Sequence, residues 1–155
     1  MIQKKDSSKI FIIGSFLLLI TIFIGVAVIY EKNKKENNGI IKINLDTKVE
    51  KALNWKFLTK TNFINAKIGQ IYKIDFNVEN YSSNKTSGRA IYEVKPNFIG
   101  KYFVEIDCFC YKKQTLLPNE KSKYSITFYI DPKIISDLKA IDIKDINISY
   151  TFLNT

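Results

Sequence analysis

IYKIDFNVEN, residues 71–80, alternates apolar and polar side chains from Tyr72 onward. Tyr72, Ile74, Phe76 and Val78 share one face of an extended chain, and Lys73, Asp75, Asn77 and Glu79 share the other. A period of two marks a strand with one side buried and one side in water. Outward from this segment, RAIYEV (89–94), KYFVEID (101–107), YSITFYI (124–130) and INISYTF (146–152) read the same way. Residues 40–45 and 55–58 are shorter strand candidates. Turn-forming residues separate them at 66–69, in NYSSNKTSG (80–88), KPNFIG (95–100) and LPNE (117–120), and in DPK (131–133). Only residues 131–138 suggest a helical turn, with Asp131 as its cap and Pro132 at its first position. About seven short strands over roughly 110 residues predict an all-β fold, an immunoglobulin-like β-sandwich with its aromatic faces turned inward.

The chain has 155 residues, enough for one such domain and an appendage. The appendage is residues 10–30, IFIIGSFLLLITIFIGVAVIY, which carry no charge. At ~1.5 Å per residue this run crosses a hydrocarbon core of about 30 Å as a helix. It is longer than a signal-peptide core, and it lacks the Ala-x-Ala cleavage pattern. The organisation expected is a short N-terminal segment (1–9), a membrane helix (10–30), a polar stalk (31–39) and a β-domain (40–155). Lys4, Lys5 and Lys9 before the span are balanced by Lys32, Lys34 and Lys35 after it, so charge alone gives no orientation.

A net charge of +9 suggests an anionic partner at first sight. The positive residues are almost all lysines, however, scattered among Glu, Asp and Asn, and Arg89 is the single arginine. Nucleic-acid sites favour the bidentate arginine fork, so a solvated lysine-rich surface and no nucleic-acid partner are expected. The absence of histidine excludes Ser/His/Asp and Cys/His catalytic sets and mixed Cys/His zinc sites.

What remains is the stretch EIDCFCYKKQTLLPNE, residues 105–120, with the only two cysteines of the chain, Cys108 and Cys110. If the strand continued through them, both sulfurs would share one face with Cα atoms about 6.6 Å apart. That separation lies near the upper limit for a disulfide, which makes a structural disulfide the poorer reading. Two small buried apolar residues are another reading, although the polar YKKQT that follows puts the pair near the rim of a sandwich. Two thiolates with no imidazole also form a soft site suited to Cu(I). To share one ion they require either a bend at Phe109 or a second chain. By spacing alone the motif indicates a soft metal or redox chemistry.

The flanking residues are more specific. GKYFVEIDCFCYKKQTLLPNEKSKYSITFYIDP followed by INISYTF resembles the CtaG family of copper-delivering assembly factors of cytochrome c oxidase. NWKF (54–57), KIGQ (67–70), NYSSNKTSGRAIYEVKP (80–96) and the single N-terminal span fit that family in order. The resemblance implies an immunoglobulin-like domain held outside the bacterial inner membrane, in the periplasm, with the N-terminus in the cytoplasm. It implies Cu(I) bound by Cys108 and Cys110, received from an upstream copper donor and passed to the CuB centre of oxidase subunit I. It also implies a homodimer linked through the copper-loaded thiolates, and a carrier rather than an enzyme. On this reading Phe109 fixes the strand end and shields the site, and Tyr102, Phe103, Gln114 and Pro118 frame it. The chain departs from the family pattern at Glu105, where the family has lysine, at Lys113, and at Tyr124–Ser125. Residues 28–39, VIYEKNKKENNG, lack the juxtamembrane cysteine that the family carries. The rival readings are a thiol–disulfide exchanger, which normally presents CxxC on an α/β fold, and a β-sandwich interaction module with incidental cysteines.

Overall fold

The computed structural model describes residues 7–36, 39–140 and 142–155. Residues 7–36 form one helix, α1 (Ser7–Glu36), whose apolar side chains from Ile12 to Ile29 are exposed. Such a surface suits lipid and not water, and the helix is long enough to cross a bilayer once. Thr21, a hydroxyl inside the apolar run, donates to the Leu18 carbonyl at 2.8 Å, so the helix itself satisfies it. The helix extends past both ends of the apolar run. It takes in residues 31–36 of the segment expected to be a stalk. Residues 1–6 of the expected N-terminal segment and residues 37–38 of the stalk lie outside the described residues.

The unit from Gly39 to Thr155 is a two-sheet β-sandwich. Its strands are β1 (Ile40–Val49), β2 (Trp55–Thr59), β3 (Phe63–Lys67), β4 (Tyr72–Asn80), β5 (Thr86–Lys95), β6 (Phe103–Cys108), β7 (Gln114–Leu116), β8 (Lys121–Ile130) and β9 (Asp145–Asn154). One sheet has the order β3-β1-β9-β5-β7 and the other β2-β4-β8-β6. All neighbours are antiparallel except β1 and β9, which run parallel from Lys42↔Asp145 to Val49↔Phe152. The fold class matches the sequence expectation. The structure adds two short strands to it, β3 and β7, both at sheet edges.

Alternation explains the core. In β4, Ile74, Phe76 and Val78 are buried while Lys73, Asp75 and Asn77 face out. The facing strand β9 buries Ile146, Ile148, Tyr150 and Phe152 in the same rhythm. Packing two such faces together is the main favourable term of the fold. The expected helical turn is present as a short 3-10 helix, Pro132–Ser136, with Asp131 Oδ1 accepting the Lys133 N–H at 2.9 Å.

Asn80 is the buried polar residue of this core, and it ties β4 to the chain leaving β7. Its Nδ2 donates to the carbonyls of Leu116 (3.2 Å), Leu117 (3.0 Å) and Asn84 (2.9 Å), and its Oδ1 accepts from Ser82. Asn80→Ala leaves buried carbonyls unpaired and is expected to cost about 1–3 kcal/mol or more. Urea unfolding of the full chain in detergent, followed by the fluorescence of buried Trp55, measures this; an unshifted midpoint would contradict the role given to Asn80.

Candidate metal centre

The centre lies where β6, an edge of the four-stranded sheet, gives out. Two irregularities shape it. The first is a β-bulge: Glu105 pairs with Phe128 and Asp107 with Thr127, leaving Ile106 unmatched. Strict alternation would turn Glu105 and Cys108 to opposite faces. One extra residue restores them to the same side, as bulges do beside functional sites. Buried Phe103, half-buried Glu105 and buried Cys108 therefore point inward, while Ile106 and Asp107 are exposed.

The second irregularity follows directly. Cys108 and Phe109 are neighbours, and both are buried, at 4% and 8% exposure. A strand cannot bury consecutive residues on one face, so the chain leaves β geometry and makes a 3-10 turn at Phe109–Tyr111. The turn is closed by Lys112 N–H to the Phe109 carbonyl (3.3 Å) and by Cys110 N–H to Cys108 Sγ (3.1 Å). The Phe109 ring is the cause. It lies between the sheets, 5.4 Å from Tyr124, 5.5 Å from Phe76, 5.6 Å from Phe152 and 5.9 Å from Phe57 and Tyr150.

This turn corrects the extended-strand expectation for the cysteines. Their Cα atoms are 5.1 Å apart, and the two sulfurs are joined as a disulfide. The disulfide judged poor from an extended spacing is accommodated because the chain bends at Phe109, one of the two ways expected to bring the sulfurs together. A Cα separation of this size lies well inside the usual disulfide range. Once reduced, the same pair presents two thiol groups from one turn.

Glu105 completes the cluster. Its Oε2 is 3.8 Å from Cys110 Sγ, and one ligand atom from each of Glu105, Cys108 and Cys110 falls within 4.8 Å of the others. A disulfide sulfur has no proton to give, so the Glu105–Cys110 contact becomes a hydrogen bond only in the dithiol state. The other carboxylate oxygen, Oε1, accepts from the hydroxyl of fully buried Tyr150 at 2.7 Å. Burial raises the Glu105 carboxyl above the ordinary carboxylate range, and hydrogen bonds from Tyr150 and Tyr92 offset part of that rise. Burial, followed by the charge of Glu105, pushes both tyrosine hydroxyls upward in turn. The donor set of two sulfurs and one carboxylate fits a thiophilic ion, and no hard-cation cage is present among the described residues.

The residues expected to frame the site divide into two groups. Gln114 holds the turn, with Nε2 donating to the Phe109 carbonyl at 3.0 Å and to the Lys112 carbonyl at 3.4 Å. Phe103 packs on Tyr92, which also supports Glu105. Tyr102 instead hydrogen-bonds Asp137, together with Lys101, and these donors hold the Asp137 carboxyl well below its ordinary range. Pro118 is exposed in the turn between Leu117 and Glu120. The sequence reading did not include Glu105, Tyr92 or Tyr150 in the site. The one available signal was an acidic residue three positions before the first cysteine, on a strand whose apolar phase slips by one.

A β-sandwich carrying a turned Cys-x-Cys pair beside a carboxylate, following an apolar helix in sequence, defines a cysteine-bearing domain with a candidate soft-metal or redox site. The chain belongs to the family described as cytochrome c oxidase assembly protein CtaG/Cox11, whose model matches residues 22–154. Among curated relatives named cytochrome c oxidase assembly protein CtaG, that of Ehrlichia ruminantium (strain Gardel) is 40% identical over 112 residues, 72% of this chain and 63% of that protein. The relative from Nitrobacter hamburgensis is 36% identical and that from Bradyrhizobium diazoefficiens 38%, each over 72% of this chain and 52% of the relative. The matched region thus spans between half and two thirds of those proteins. Among solved structures, the ASH/PapD-like domain of human CEP192 (PapD-like domain 7) aligns at 15% identity over 66% of this chain and 85% of its own, with a TM-score of 0.36. That likeness is too loose to carry an argument.

Two outcomes test this geometry. Phe109→Ala removes the ring that joins the sheets, and it is expected to cost about 3–5 kcal/mol by urea unfolding. Glu105→Gln keeps the acceptor for Tyr150 and removes the charge. Because the native carboxyl is raised above its unfolded value, the native state holds the extra proton between the two, and stability falls as pH rises through that window. The oxidised Glu105→Gln variant should therefore unfold at higher urea than the parent at pH 7.5, with the gap closing near pH 4. Equal midpoints at both pH values would mean that the carboxylate is not desolvated.

Proposed function

We propose that this chain is a membrane-anchored copper carrier that binds Cu(I) through Cys108 and Cys110 during assembly of cytochrome c oxidase, and that it is not an enzyme. The observation that carries this reading is the turn at Phe109–Tyr111, which gathers both sulfurs of one chain at the end of an edge strand. Membership of an oxidase-assembly family supports the destination: the CuB centre of subunit I, with copper received from an upstream donor. The same reading places the domain in the periplasm and the N-terminus in the cytoplasm, with α1 as a retained anchor in the inner membrane.

The cycle begins from the disulfide. An external dithiol supplies two electrons and two protons, breaking the S–S bond to give two thiols while being oxidised to its own disulfide. Cu(I) then replaces the thiol protons. Delivery is ligand exchange without net redox change, each carrier sulfur giving way to an acceptor ligand. Since the turn already unites two sulfurs within one chain, the copper-linked homodimer would add bridging sulfurs between chains and would not be needed to complete a two-sulfur site.

Reduced full-length chain in detergent, loaded anaerobically, is expected to hold about one Cu(I) per chain, with loss of that copper in Cys108→Ser and in Cys110→Ser. Binding no greater than in those variants would end the carrier reading. Gel filtration reads the dimer: a doubling of protein mass on loading supports a shared site, and an unchanged mass assigns the ion to one chain. The disulfide itself favours a second reading, thiol–disulfide exchange with another assembly factor. Under that reading the oxidised chain would oxidise a dithiol peptide rapidly, and the reduced chain would not retain Cu(I).

A further inference from the structure

Nothing in the two-cysteine reading requires a carboxylate, yet this chain places one against the sulfurs. Glu105 reaches that position only because the bulge at Ile106 turns it to the same side as Cys108. Its two oxygens are differentiated. Oε1 is held by the Tyr150 hydroxyl at 2.7 Å, while Oε2 faces Cys110 Sγ at 3.8 Å. An orienting donor on one oxygen and a metal on the other is the usual arrangement for a ligating carboxylate.

One of the separations already fits a shared ion. With metal–sulfur and metal–oxygen bonds of about 2.3 and 2.1 Å and angles between tetrahedral and trigonal, sulfur and oxygen ligands lie about 3.6–3.8 Å apart. The Glu105 Oε2 to Cys110 Sγ distance of 3.8 Å is already of that size. The two sulfurs, joined in the disulfide, must still part to the spacing of two ligands on one ion once reduced, and Glu105 and Cys108 offer ligand atoms within 4.8 Å of each other.

Resting on the reading of Cys108 and Cys110 as metal ligands, we infer that Glu105 is the third donor of the site, and that the resulting set of two thiolates and one carboxylate binds Zn(II) as well as Cu(I). Charge and softness both favour this. Two thiolates and a carboxylate bring three negative charges into a half-buried position, and a divalent ion neutralises more of them than a monovalent one. Zinc readily combines sulfur and carboxylate ligands in a four-coordinate site, with water completing the set, whereas Cu(I) takes its stability from the sulfurs. On binding, each thiol releases its proton to solvent as the sulfur–metal bond forms. Tyr150 is a positioning residue here, holding the carboxylate without touching the ion.

The test measures Zn(II) and Cu(I) affinity by chelator competition on the reduced full-length chain in detergent, for the parent, Glu105→Gln and Tyr150→Phe. Glu105→Gln is expected to weaken Zn(II) about a hundredfold and Cu(I) by less than about threefold. Tyr150→Phe keeps the carboxylate but frees it, and it should weaken Zn(II) about tenfold. Equal Zn(II) affinity in all three proteins, or an equal loss of both metals in Glu105→Gln, would overturn the assignment of Glu105. Failure of the parent to bind Cu(I) would instead overturn the carrier reading.

Discussion

The geometry around the cysteines depends on one constraint: Cys108 and Phe109 are both buried, and an extended chain cannot bury two successive residues on one side. The Phe109 ring, packed between Phe57, Phe76 and Tyr124 of one sheet and Tyr150 and Phe152 of the other, decides the conflict in favour of a turn. Aromatic contacts of this kind contribute about 0.5–1.5 kcal/mol each beyond their area, so five together outweigh the lost ladder bonds of one edge residue. The position of the sulfurs is therefore set by the hydrophobic core, and the site is as firm as the sandwich beneath it.

A single group also serves two ends at Tyr150. It is fully buried on β9, in the five-stranded sheet, and it reaches Glu105 on β6 in the opposite sheet. One hydroxyl thereby satisfies itself in the core and orients a carboxylate at the rim. The family resemblance alone would discard Glu105 as a departure from a lysine. In the fold it is the residue with the most specific contacts of the cluster.

The fold was largely legible in the sequence because five segments alternate, with a slip only in 101–107, beside two shorter candidates, and alternation reports directly which face is buried. β3 and β7 escaped notice for a physical reason: each is short, lies at an edge and buries only one side chain, Ala66 or Leu116. Cys108 and Cys110 were visible by residue type, and a soft-metal or redox site by their spacing and the absence of histidine; copper entered only as what the family resemblance implies. Their connection was misjudged because the strand was extended through Phe109. The 3-10 turn leaves no mark in residue spacing, and the bulge shows only as a one-residue slip in the apolar phase of the strand. Glu105, Tyr92 and Tyr150 come together from three strands, a convergence that no local window of sequence contains.

The two sulfurs do not meet the solvent equally. Cys108 is buried and receives the Cys110 N–H, while Cys110 is only half-buried on the outer side of the turn. The site thus has a front and a back. A thiolate attacking the disulfide would reach Cys110 Sγ first and expel Cys108 as the leaving thiolate, and an incoming metal ligand would likewise meet Cys110 first. In the proposed exchange, burial would then set the order of events, the outer sulfur engaging the newcomer while the inner one stays within the core.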